Sequence, residues 1–115
     1  MTTINISSFT SEAASKTKGI LFREILEPLI KNKEDIIVDF EGITRFASPF
    51  FNNSFASLGI VYGFNAITRI KLKNISETGK ITYDTSLENA KLISESPQFK
   101  EEINQIINNT PKKVN

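Results

Sequence analysis

Residues 36–40, Ile-Ile-Val-Asp-Phe, constrain the fold more than any other part of the chain. In an extended segment Ile36, Val38 and Phe40 share one side, and Ile37 and Asp39 share the other. The run is nearly all apolar and rich in β-branched side chains, so it predicts a strand. Apolar character on both sides predicts a central strand with both faces covered, which favours an α/β sheet. Asp39 is the exception in that run. Its carboxylate is either a functional group at the strand end or an acceptor for backbone N–H groups just beyond it, as short acidic side chains often are in turns.

The flanking segments extend this pattern. Residues 2–6 alternate around Ile4 and Ile6 and predict a short edge strand. Ser11 or Thr10 is then expected to cap a helix over 12–31, with Glu12 in its first turn. Leu21, Ile25 and Leu29, beside Phe22, Leu26 and Ile30, give that helix a broad apolar stripe. Pro28 predicts a kink near Glu24, because its ring meets the carbonyl four residues back. Residues 32–35 make a tight connector.

From Gly42 to Thr68 there are 27 residues with a single charge, Arg45, and five of the nine phenylalanines. Ser48-Pro49 reads as the N-cap and first position of a second helix. Phe51, Phe55, Leu58 and Tyr62 follow at helical spacing, and Gly63 is expected to end the helix. The same helix carries Asn52, Asn53 and Ala56 on another side. An uncharged, polar or small face of that kind suits a partner surface. Residues 67–73 alternate, with Ile70 and Leu72 opposite Arg69, Lys71 and Lys73, and predict a half-buried strand. The three cations suit either a solvated sheet edge that resists further pairing or a phosphate-binding stripe. Ser76 is expected to cap a helix over 77–94 with Ile81, Leu87, Ala90 and Ile93 on its apolar face. Ser96-Pro97 repeats the cap signal before a short helix bearing Phe99, Ile103, Ile106 and Ile107. The order β-α-β-α-β-α-α implies right-handed crossovers and a largely parallel sheet. One domain over residues 1–107 is expected, with 108–115 as a frayed tail.

Composition narrows the chemistry. The chain of 115 residues has no cysteine and no histidine. That removes disulfides, thiol nucleophiles, zinc–thiolate sites and imidazole bases. Lys plus Arg is 14 and Asp plus Glu is 13, giving a net charge of +1, so bulk charge does not select a nucleic-acid partner. The start, MTTINISSFT, lacks a basic region followed by an apolar run, and no apolar stretch is long enough to cross a bilayer. A cytoplasmic protein with no cofactor is the expectation. No phosphate loop, HExxH or GxSxG pattern occurs.

The residue with two distinct uses is Ser48. Its hydroxyl can cap a helix, or it can accept a phosphoryl group whose charge would then sit at the positive helix end. The block VDFEGITRFASPFFNNSFASL around it resembles the central part of the STAS-like domain family of unknown function, relatives of bacterial anti-sigma-factor antagonists. The shared elements are Val38-Asp39-Phe40, Gly42-Ile43, Phe46, Ser48-Pro49, Phe51 and the Asn53 region. The stretch IKLKNIS, 70–76, also looks like that family's passage from strand to helix, and the similarity spans residues 12–93. The resemblance implies a small α/β sandwich, with three to four helices over a mixed sheet of about four strands. It also implies a regulatory protein-interaction module rather than an enzyme. Antagonists of this superfamily bind a GHKL-type ATPase/kinase that phosphorylates a serine or threonine at the start of the second helix. Ser48 falls at that place, with Arg45, Pro49, Asn52 and Asn53 as expected partner contacts. The chain departs from the antagonists in having Ala47 before the serine where they carry an acidic residue, and Pro49 after it where they carry Ser or Gly. Phe50 and Asn53 stand where STAS-like relatives often have Ser and Asp. Two other classes remain open. One is a small enzyme with Asp39 and Glu41 on a divalent metal, and the other a nucleic-acid accessory using Arg69, Lys71 and Lys73.

Overall fold

A computed structural model describes residues 1–96. Three strands, β1 (Thr2–Asn5), β2 (Ile36–Asp39) and β3 (Lys71–Lys73), form one sheet in the order β1-β2-β3. Both pairings are parallel, in the registers Ile4↔Val38 and Val38↔Leu72. The described residues therefore form three parallel strands where a mixed sheet of about four was expected. Parallel pairing follows from the connections, since each strand reaches the next through helix. In this sequential order, right-handed crossovers carry both connections to the same face.

That face holds the core. Ile4, Ile36, Val38 and Phe40 are buried beneath the helices. The opposite face presents Thr3, Asn5, Lys71 and Lys73 exposed, with Ile37 and Asp39 half-buried. β2 is thus the central strand, as expected, but the described residues fully cover only one of its faces.

Helix α1 (Lys16–Lys31) starts later than expected. Its cap is Ser15, whose side chain accepts from the Lys18 N–H at 3.1 Å, not Ser11 or Thr10. Residues 12–14 are extended instead, and Ala13 forms a single parallel bridge with Phe46. Burial selects one of the two apolar rows on α1. Gly19, Phe22, Leu26 and Ile30 are buried, whereas Leu21 and Ile25 are exposed. Pro28 lies in the last turn, and its carbonyl accepts from the Asn32 N–H at 3.0 Å.

Helix α2 is built from Ser48–Phe51, a π-helical stretch Asn52–Ala56, and Ser57–Tyr62. At the widening, the Asn53 amide donates to the Pro49 carbonyl and the Ser54 hydroxyl donates to the Phe50 carbonyl, both at 2.8 Å. Side-chain bonds to carbonyls four residues back compete with the α-helical ladder there. Gly63, at φ 96°, ends α2 as expected. A short helix follows, α3 (Phe64–Thr68), in place of the first part of the predicted third strand. Phe64, Ile67 and Ile70 recur every three residues, and the fully buried Ile67 settles that stretch as helix. Arg69 lies after α3 and outside the sheet.

Helix α4 (Glu77–Ser94) is capped by Ser76, which accepts from the Gly79 N–H at 3.1 Å. Its inner face is Gly79, Tyr83, Ser86, Leu87 and Ala90, while Ile81 and Ile93 are exposed. The expected helix after Pro97 and the tail at 108–115 lie outside the described residues. No described helix is long and apolar enough to cross a membrane.

Phenylalanine holds these layers together. Phe22, Phe40, Phe50, Phe51 and Phe55 have no exposed surface. Phe22 of α1 meets Phe50 and Phe55 of α2 with ring centroids 5.7 and 5.3 Å apart. Phe51 and Phe55 meet Tyr83 of α4 edge-on at 5.9 and 5.1 Å. Such pairs each contribute about 0.5–1.5 kcal/mol beyond simple burial. The contact between α1 and α2 is also close at the backbone. A Cβ on Gly19 would stand 2.5 Å from the Phe50 carbonyl oxygen.

Candidate functional site

The start of α2 is fixed by its surroundings rather than by a side-chain cap. The Ala13 N–H donates to the Arg45 carbonyl and the Ala47 N–H to the Ala13 carbonyl, each at 3.0 Å. This bridge holds residues 45–47 extended, with Ala47 at φ −150° and ψ 152° as the N-cap residue. Ser48 is therefore the first helical residue, not the cap expected from sequence, and no side chain caps α2. Behind it, Phe50 and Phe51 anchor the first turn in the core.

This geometry leaves the Ser48 hydroxyl exposed and without a hydrogen bond among the described residues. Arg45 and Pro49 are exposed beside it in sequence. The Arg45 guanidinium lies 3.6 Å from the Glu12 carboxylate, a solvent-exposed pair that holds neither side chain strongly. The first turn of α2 carries no acidic residue, so no protein carboxylate there complements the positive helix end.

The two asparagines are engaged within the fold. Asn52 Oδ1 accepts from the buried Ser86 hydroxyl at 2.6 Å, tying α2 to α4. The Asn53 amide is turned back onto Pro49. Arg45, Ser48 and Pro49 thus form the freely presented part of the site. Asn52, itself exposed, and the half-buried Asn53 tie the turn to α4 and to the Pro49 carbonyl.

Asp39 ends β2 close to the β3 turn. One carboxylate oxygen accepts from the Glu41 N–H at 2.9 Å and from the Asn74 side-chain amide at 3.0 Å. The Asn74 bond, then the Glu41 N–H, with a contribution from Lys73, holds the Asp39 carboxyl below its ordinary value. Asn74 itself is left-handed, at φ 58°, a conformation asparagine tolerates. Among the described residues no group of three or more acidic side chains converges on a possible metal position. The three basic residues of the predicted stripe are divided. Lys71 and Lys73 stand on the open sheet face, and Arg69 does not share the strand.

Several residues that build the site were not picked out by pattern. Ala13 supplies the bridge, Gly19 the close approach and Ser86 the bond to Asn52. Only Gly19 carries a local signal, as a glycine inside an apolar helix pattern, which often marks close packing.

No curated protein and no solved structure gives a significant match to the chain. The family model described as STAS-like domain of unknown function (DUF4325) matches residues 18–80. That span runs from the first turns of α1 through both crossovers into α4 and includes the start of α2. The chain belongs to this STAS-like family.

Proposed function

We propose that the protein is a regulatory protein-interaction module without catalysis of its own, and that it docks a GHKL-type ATPase/kinase through the start of α2. At the partner's site the Ser48 oxygen bonds to the γ-phosphorus of ATP, the bond from that phosphorus to the bridging oxygen breaks to release ADP, and the hydroxyl gives up its proton. Arg45 and Pro49 make direct contacts, and Asn52 and Asn53 hold the turn in shape. A cytoplasmic setting goes with such an ATP-dependent partner.

The observation that supports this reading is the unused hydroxyl of Ser48 at a helix start held by the Ala13 bridge and the buried Phe50 and Phe51. A phosphoryl group there would meet the positive end of a fifteen-residue helix that has no acidic residue in its first turn. The metal-enzyme reading is less favoured, since an Asp39 oxygen already serves two structural hydrogen bonds. The test is co-purification of the native protein and of Ser48→Glu from cells that contain the natural partners. Retention of a GHKL-type ATPase by the native chain and its loss with Ser48→Glu is the expected result. No bound ATPase, or equal retention by both, contradicts the reading.

A further inference from the structure

Among the described residues β3 is paired on one side only. Across that pair the Phe40 N–H donates to the Lys73 carbonyl at 2.8 Å. By the alternation of a strand, Lys71 and Lys73 direct their backbone groups toward β2, and Leu72 directs its N–H and carbonyl outward. Beside this open edge, between β3 and α4, lies a groove of ≈ 540 Å³. Its apolar lining includes Ile70, Leu72, Tyr83 and Leu87, and its rim carries Lys80, ion-paired with Asp84, beside Glu88 and Lys91, so the rim itself is balanced in charge.

Tyr83 is the unusual member. It is only 6% exposed, its ring is packed edge-on against Phe51 and Phe55, and its hydroxyl has no hydrogen-bond partner among the described residues. Buried hydroxyls are usually paired, and because Tyr83 lines the groove a group bound there could pair this one.

We propose that this edge accepts an extended segment of a partner protein as an additional strand, and that the segment alternates apolar with acidic residues. Main-chain hydrogen bonds to Leu72 would supply the pairing. Side chains of an added strand alternate between the two faces. Those on the helix side enter the groove over Leu72 and Tyr83, which calls for apolar residues. Those on the other side stand next to Lys71 and Lys73, both exposed, which calls for carboxylates. The same two lysines disfavour a second copy of the chain, because β3 against β3 sets cation against cation. This surface shares no residue with the start of α2, so it stands or falls independently of the Ser48 reading.

The test titrates the nitrogen-labelled protein with acetylated peptides that alternate Val with Glu or Val with Lys, and with the Val/Glu peptide N-methylated on alternate residues. The Val/Glu peptide is expected to shift the Leu72 amide and to bind about tenfold more tightly than Val/Lys, as two reversed cross-strand charges imply. N-methylation should abolish the shift. Lys71→Glu combined with Lys73→Glu, both at exposed positions, should reverse the charge preference. Tyr83→Phe, which keeps the packed ring, should weaken binding while leaving thermal unfolding in place. Equal affinity for the two charge patterns overturns the proposal. So does the absence of any shift up to about 1 mM peptide, or sedimentation showing that a second copy already covers this edge.

Discussion

The starts of α1 and α4 are held differently from the start of α2. Ser15 and Ser76 each accept a backbone N–H three residues on, at 3.1 Å, and so spend their hydroxyls on capping. At α2 the serine sits one residue further in. The bridge to Ala13 and the buried Phe50 and Phe51 take over the task of fixing the chain. A capped start needs its serine for stability. A start fixed by packing leaves its serine for other chemistry. That difference separates Ser48 from Ser15 and Ser76.

The largest expected effect comes from removing the packing that replaces a cap. Phe51→Ala should lower the unfolding free energy by about 4 kcal/mol, as for other buried phenylalanines, measured by urea denaturation. A loss of 1 kcal/mol or less would mean that α2 is not seated by its aromatic side chains. Gly19→Ala should cost about 2 kcal/mol, because its Cβ meets backbone rather than a movable side chain. If that variant is as stable as the parent, α1 and α2 are not in close contact at this point.

Cap removal comes next. Ser76→Ala and Ser15→Ala should each cost about 1 kcal/mol. Ser48→Ala should change stability by no more than about 0.5 kcal/mol. Equal losses from all three serines would erase the contrast.

The smallest expected effect belongs to Asp39 and is read as a function of pH. Its folded-state value is depressed below 3.8, so the folded protein prefers the carboxylate. That contribution is present above the unfolded value and is lost as pH falls through the folded one. Asp39→Asn should therefore lie slightly below the parent in thermal stability at neutral pH and converge with it at the acid end. Parallel curves across the whole range would show that the Asn74 and Glu41 bonds carry no net stability.

Much of this architecture can be read along the chain, and the misreadings have physical causes. The central place of β2, the phenylalanine stripe of α2, the stop at Gly63 and the Ser76 cap all rest on local patterns. The family resemblance around Ser48 also rests on a contiguous block. The start of α1 differs from the expected one because Glu12-Ala13-Ala14 suits a helix by propensity. A long-range bridge to Phe46, 33 positions later in sequence, holds it extended instead. The same bridge moves the α2 cap from Ser48 to Ala47, a shift of one residue that local spacing does not resolve. Around Arg69, spacings of two and three coincide at Ile70, and only the burial of Ile67 separates strand from helix. On α4 the apolar residues Ile81 and Ile93 face outward while Ser86 is buried. Its partner, Asn52, lies on another helix, so polarity alone places Leu87 and Ala90 correctly but not Ile81, Ile93 or Ser86.

The account turns on Ser48 being the modified residue of a docking module. Phosphopeptide mapping of the protein isolated from its native cells tests this most directly. The account predicts phosphate on Ser48 and none on the capping serines Ser15 and Ser76. An unmodified Ser48, with phosphate elsewhere or nowhere, would contradict it.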